Sequence, residues 1–233
     1  MSLEALAVRY DLPAESVSRF TVLLDRLSQE AAPTTVHAAA EAVDVHIADS
    51  LAGLEVEAVR GAGHLADLGA GAGLPGLVLA TALPRCRVVL VESVRRKAEF
   101  IAATAMEMGL ANAEVVAARA EEWREGLGVC DVVTARALAS LPVLCEYAAP
   151  LLRAGGALVA WKGALRADEL ADGVAAAGTV GLSPPEVRAV APYASSRDRH
   201  LVVCHKVRPT PTRYPRRPGM AVKRPLGRRL SGR

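Results

Sequence analysis

Aromatic side chains are scarce in this chain of 233 residues: two Trp, four Tyr and two Phe make up 3% of it, while 52% of the residues are hydrophobic. The core must therefore be built from Ala, Val and Leu. Reading single strands by stacking bases on exposed rings is excluded as a main mode of recognition, because only Trp123, Trp161, Tyr193 and Tyr214 are candidates for it. Cysteine is limited to Cys86, Cys130, Cys145 and Cys204, with no C-x-x-C pair. That argues against a disulfide framework and against a zinc site, and no metal is expected. No apolar run approaches the ~20 residues of a membrane span. The first residues, MSLEALAVRYD, carry acids where a signal peptide would be basic and then apolar, so a cytoplasmic monomer is expected.

Negative charge is missing altogether from Arg199 onward, where Lys206, Arg208, Arg213, Arg216, Arg217, Lys223, Arg224, Arg228, Arg229 and Arg233 follow. The formal net charge of +3 hides this asymmetry, since the rest of the chain is acidic. Five prolines between Pro209 and Pro225 break any regular helix, so the tail is expected to be flexible and to bind phosphates. The length suits one domain with appendages: an N-terminal helical extension over 1–52, an α/β domain over 53–207 and a basic tail over 208–233.

The densest signal is His64 to Gly76, HLADLGAGAGLPG. A short apolar run ends at Asp67, glycines recur at Gly69, Gly71, Gly73 and Gly76, and an apolar helical pattern leads to Pro84. Strand, glycine turn and helix in this order make a nucleotide-binding turn, with the helix N–H groups expected to point at the ligand. Two spacings overlap here. Gly71, Gly73 and Gly76 fit the dinucleotide pattern, and Asp67, Gly69, Gly71 and Gly73 fit the D-x-G-x-G-x-G of S-adenosylmethionine-dependent methyltransferases. The carboxylate of Asp67 favours the second, because it would repel a pyrophosphate but accept hydrogen bonds from the amino group of a methionine moiety.

Helices are expected within residues 3–31, broken at Asp11 to Ala14, and from Val36 to Leu51, where His46 and Asp49 share a face. Strands follow at Arg87 to Val91, Ala113 to Ala117, Cys130 to Ala135 and Ala157 to Trp161. Helices are expected from Arg95 to Met108, Pro142 to Leu152 and Ala167 to Ala177. Two last strands, near Val187 to Val190 and His200 to Val207, would end the sheet antiparallel. Glu92, about 20 residues beyond the glycines, stands where an acid accepts from ribose hydroxyls. Ala120 and Glu121 would reach the adenine end, and Arg136 would emerge near the reacting end.

These residues resemble the bacterial 16S rRNA guanine-N7 methyltransferase family, also called the glucose-inhibited division protein B family. The likeness runs through HIADSL, LADLGAGAGLPG, VESVRRKAEF, AARAEEW, VVTARALASL, AWKG and RHLVV to YPRRPG in the tail, and covers about four fifths of the chain. It implies a Rossmann-like class I methyltransferase sheet with a cofactor site at Gly69, Leu74, Ala120, Glu121 and Arg136, and Glu92 at the ribose. It also implies RNA-facing basic residues at Arg96, Arg119, Lys162 and Arg199, with Arg216 and Arg217 in the tail segment. The implied substrate is one guanine in the 530 loop of 16S rRNA, in or near the small ribosomal subunit. Arg136, Lys162 or Arg199 would hold guanine O6 with a donor fork. Three other readings compete: an NAD-dependent oxidoreductase, a non-enzymatic ribosome-binding factor with this fold, and a methyltransferase acting on another RNA or a small molecule.

Overall fold

The computed structural model describes residues 1–30, 32–34 and 39–227. The expected start of a helix at Val36, and Arg228, Arg229 and Arg233 of the tail, lie outside the described residues. The chain opens with α1 (Leu3–Tyr10) and α2 (Ser16–Ser28). Next come α3 (Ala39–Ala42), a π-helical stretch (Val43–Ala48), α4 (Asp49–Leu51), a 3-10 turn (Ala52–Glu55) and α5 (Glu57–Arg60). The π turn was not legible in the apolar spacing. Single wide turns of this kind frequently mark functional positions in helices.

The α/β unit follows as β1 (His64–Leu68), α6 (Gly76–Ala82), β2 (Arg87–Val91), α7 (Arg95–Glu107), β3 (Ala113–Val116) and β4 (Cys130–Arg136). It continues with α8 (Leu141–Ala148), β5 (Leu152–Lys162), α9 (Ala167–Val180), β6 (Glu186–Ala189) and β7 (His200–His205). The seven strands lie in the order β3-β2-β1-β4-β5-β7-β6, and β7 runs antiparallel to both β5 and β6. The expected methyltransferase sheet is therefore present, with the last strand inserted beside β5.

Side chains alternate across the sheet as a pleated backbone requires. Val88 and Leu90 of β2 belong to the core that α2, α6 and α7 share, whereas Val89 and Val91 belong to the core that α8 and α9 share. Burial on both faces explains why the strands read as unbroken apolar runs. One expected helix ends early: α8 stops at Ala148, not Leu152, because Pro150 has no N–H to continue it, and Leu152 pairs with Cys130 at the start of β5.

The tail departs from the expectation of a free arm. Residues 208–227 are packed on α8 and α9, and include the short helix α10 (Met220–Lys223) with Ala221 buried. Buried Glu146 of α8 accepts from Arg216 Nε at 2.8 Å. Thr210 donates to the Val180 carbonyl at 2.9 Å, and the ammonium of Lys206 is bonded to the Ala149 carbonyl and the Thr210 hydroxyl. Proline prevents regular structure but not docking by side chains. Among the described residues no helix is long and apolar enough to cross a membrane.

Candidate active site

The turn after β1 is built around positive φ. Gly69 and Gly71 sit at +63° and +60°, in the left-handed region where a Cβ is disfavoured. They line a cleft of about 640 Å³ at the carboxyl ends of β1, β2 and β4, together with Leu74, Glu92, Lys97 and Arg136. Glu92 is held there by two backbone donors: Gly71 N–H gives to Oε2 at 3.0 Å and Val94 N–H to Oε1 at 2.8 Å. Each carboxylate oxygen has a second lone pair free for a hydroxyl. Gly73 does not line the cleft; it is buried against the side chain of Leu77.

Asp67 occupies a different place from the one its spacing suggested. It lies fully buried beneath the turn, accepting from Gly76 N–H at 2.9 Å and from the Thr134 hydroxyl at 2.8 Å. The carboxylate thus secures the turn from below and does not reach the cleft. It also takes the first N–H of α6, and Leu77 N–H is taken by the Gly73 carbonyl, so this helix start is satisfied internally. Burial pushes the Asp67 carboxyl up to about 7, against the lowering effect of the Thr134 and Gly76 hydrogen bonds.

A second cavity of about 470 Å³ adjoins the cleft, lined by His46, Asp49, Arg136, Trp161, Lys162 and Arg199 among others. Thr34, Arg136 and Ala137 border both spaces. Arg136 Nη1 donates to Asp49 Oδ2 at 2.9 Å and to the Val45 carbonyl at 3.1 Å. Arg199 approaches Asp49 Oδ1 at 3.7 Å and donates to the Tyr193 hydroxyl at 3.2 Å. The indole N–H of Trp161 donates to the Asp49 carbonyl at 2.7 Å. Ala137 is a non-glycine residue at φ +54°, a strained backbone placed where the two spaces meet. The shared face of His46 and Asp49 admits an acid/base couple, but the sequence alone does not single Asp49 out as a site residue. The available signal was its spacing of three from His46, which puts both on the pocket side of one helix.

The remaining expected residues fall into groups. Lys162 lines the second cavity but is paired with Glu169 at 2.6 Å and donates to the Ala139 carbonyl, so it forms part of the wall. Arg96 and Arg119 are exposed and line neither cavity. Ala120 and Glu121 do not line the cleft either. The 3-10 turn that carries them (Ala120–Glu122) directs the Glu121 carboxylate to the docked tail, where it accepts from Gly219 N–H at 2.9 Å. Arg216 is committed to Glu146, which leaves Arg217 as the exposed cation of that pair. Trp123, Trp161 and Tyr193 are all at least 90% buried, so they serve the core more than any stacked base.

Comparison with known proteins agrees with this architecture. The sequence profile of the family described as rRNA small subunit methyltransferase G matches residues 14–202. A ribosomal RNA small subunit methyltransferase G of Rubrobacter xylanophilus is 44% identical over 187 residues, 78% of this chain and 72% of the relative. One of Deinococcus radiodurans is 41% identical over 215 residues, 91% of this chain and 85% of the relative. Among solved structures, an S-adenosylmethionine-dependent O-methyltransferase of Thermotoga maritima shares the fold with a TM-score of 0.58 at 14% identity, covering 81% of this chain and 72% of that one.

Proposed function

Because the chain belongs to the rRNA small subunit methyltransferase G family, we propose that it methylates N7 of one guanine in the 530 loop of 16S rRNA, guanine 527 in standard 16S numbering, with S-adenosylmethionine as donor. The observation that carries this reading is the junction at Arg136 and Ala137, which gives a glycine-floored cleft and a second, polar-walled cavity a common border. Group transfer needs two substrates held side by side, and a single-substrate binder has no use for that arrangement.

The residues of the cleft suit this cofactor better than a dinucleotide. Asp67 takes the first N–H of α6 and so removes a donor from any phosphate, and Glu92 presents a carboxylate where a pyrophosphate would have to approach. Both features disfavour a pyrophosphate, and the Glu92 carboxylate favours a ligand with a cationic centre. Gly69 and Gly71 would admit its backbone-facing side, and Glu92 would accept from its ribose hydroxyls. When bound, S-adenosylmethionine supplies an electrophilic methyl group on a sulfonium, which the in-plane lone pair of guanine N7 takes without loss of a proton.

The chain's own task is then positioning, worth roughly 7–11 kcal/mol in favourable cases. Arg136 would donate to O6 of the guanine alone, beside the transferring group, and leave the N7 lone pair free to take the methyl. Arg96, Arg119 and Arg217 would bind phosphates around the opening, since they are exposed cations without a competing wall role.

The test is transfer of radiolabelled methyl to unmodified small subunits and to naked 16S rRNA, mapped by strand scission at N7-methylguanine. Label at one guanine of the 530 loop is expected, falling steeply as salt rises. Label elsewhere, or none despite cofactor binding, would make the acceptor assignment wrong.

A further inference from the structure

Asp49 is the anionic group that faces the second cavity nearest the junction, and its carboxylate is only half engaged. Oδ2 accepts from Arg136 at 2.9 Å, while Oδ1 has only a looser ion pair with Arg199 Nε, at 3.7 Å and beyond hydrogen-bonding reach, among the described residues. The residue is 5% exposed and its main-chain carbonyl accepts from the Trp161 indole, which fixes its backbone in the cavity wall. A buried carboxylate oxygen with spare acceptor capacity at the wall of a cavity asks for a donor.

Guanine offers such donors. Its N1–H and exocyclic amino group point away from N7, and O6 lies between N7 and N1–H on the ring edge. A base whose N7 is at the junction with O6 on Arg136 therefore turns N1–H toward the acceptor that Arg136 itself holds. We infer that Asp49 reads the Watson–Crick edge of the target guanine, taking N1–H and the amino group on its carboxylate; this rests on the function proposed above. Adenine is rejected by the same group, because its N1 is an unprotonated acceptor that would meet a carboxylate. An enzyme acting on an extruded base reads it in this way, by hydrogen bonds to its pairing edge.

The contact also bears on rate. Methylation at N7 places positive charge on the ring and makes N1–H a stronger donor, so the bond to Asp49 tightens as the reaction proceeds. An interaction stronger in the transition state than in the ground state raises turnover and not only affinity. Arg136 donates to the carboxylate and so aims it, which makes it a positioning residue for this step as well.

The experiment uses full-length protein and 16S rRNA, assembled into small subunits, that carries guanosine or inosine at the methylated position. Inosine lacks only the exocyclic amino group. Wild type is expected to prefer guanosine by about tenfold to a hundredfold in kcat/KM, the range for a hydrogen bond to a charged group. Asp49→Asn is expected to shrink that preference to about twofold, with S-adenosylmethionine affinity unchanged by direct titration. If the variant keeps the wild-type preference, Asp49 only props up Arg136 and the inference is overturned. Wild type alone gives a second check that needs no variant: equal turnover of guanosine and inosine also overturns it. Absence of any methyl transfer to guanosine rRNA by wild type would instead remove the proposed function, and this inference with it.

Discussion

Arg136 reaches 2.9 Å to the carboxylate of Asp49 across 87 residues of sequence, and so ties the carboxyl end of β4 to the N-terminal helical layer. The side chains are 19% and 7% exposed, which puts the pair well inside the protein. Breaking a buried ion pair from one side leaves the other charge stranded.

Arg136→Met is therefore expected to lower stability by about 3 kcal/mol and kcat/KM by at least about a hundredfold. Arg136→Lys should retain more stability than activity, because an ammonium lacks the planar fork that serves Val45 and Asp49 together. Urea unfolding and methyl-transfer kinetics on the two variants check this; equal losses on both measures would count against it.

Gly71 separates cofactor binding from folding. At φ +60° an alanine costs about 1–2 kcal/mol, yet the nearest other atom to an added Cβ is the Gly69 carbonyl oxygen at 3.7 Å, so there is no clash. Gly71→Ala should fold and bind S-adenosylmethionine at least about tenfold more weakly. Gly69→Ala should be worse in both respects, since its Cβ would stand 2.5 Å from Leu138 Cδ1. Calorimetric titration alongside thermal melts distinguishes the two.

The Asp67 carboxyl, raised by burial to about 7, links stability to pH. The folded protein keeps a proton that the unfolded chain releases near 3.8. The contribution is whole below the unfolded value and is lost as pH rises through 7, a swing of up to about 4 kcal/mol. Asp67→Asn keeps an oxygen for Gly76 N–H and removes the titration. Measured by denaturation from pH 5 to 8, wild type should lose stability relative to this variant as pH rises; a constant difference would show that Asp67 is not the group responsible.

Glu146 is 1% exposed in its side chain and depends on Arg216 for its counter-charge. Arg216→Met should cost about 3 kcal/mol and loosen residues 208–227 from α8. Trypsin would then cut at Arg213 or Lys223 faster than in wild type, with the α/β domain intact by mass. Unchanged cleavage would mean that the remaining contacts hold the tail alone.

Features governed by neighbours in the chain were legible without a structure. The apolar run of Arg87 to Val91 matches β2 residue for residue, and the spacing of Gly69 and Gly71 announces a turn in the left-handed region. Both follow from backbone geometry within a few residues. Asp67 shows the limit: its position two residues before a glycine said that it mattered, but strand alternation and the Thr134 hydroxyl, 67 residues away, put it under the turn. Glu121 was assigned to the adenine end because it follows β3, and its carboxylate went to Gly219, 98 residues further on.

By itself, then, the sequence determined the strands, the glycine turn, the order of the α/β units and, through its motifs, the family. Tertiary structure alone decided which polar groups meet: Asp49 with Arg136, Glu146 with Arg216, and the basic tail with the domain it was expected to leave free. The physical reason is range. Steric limits on φ and ψ and the period of apolar residues act locally, whereas a buried charge must find a partner wherever packing brings one, and sequence distance carries no record of that choice.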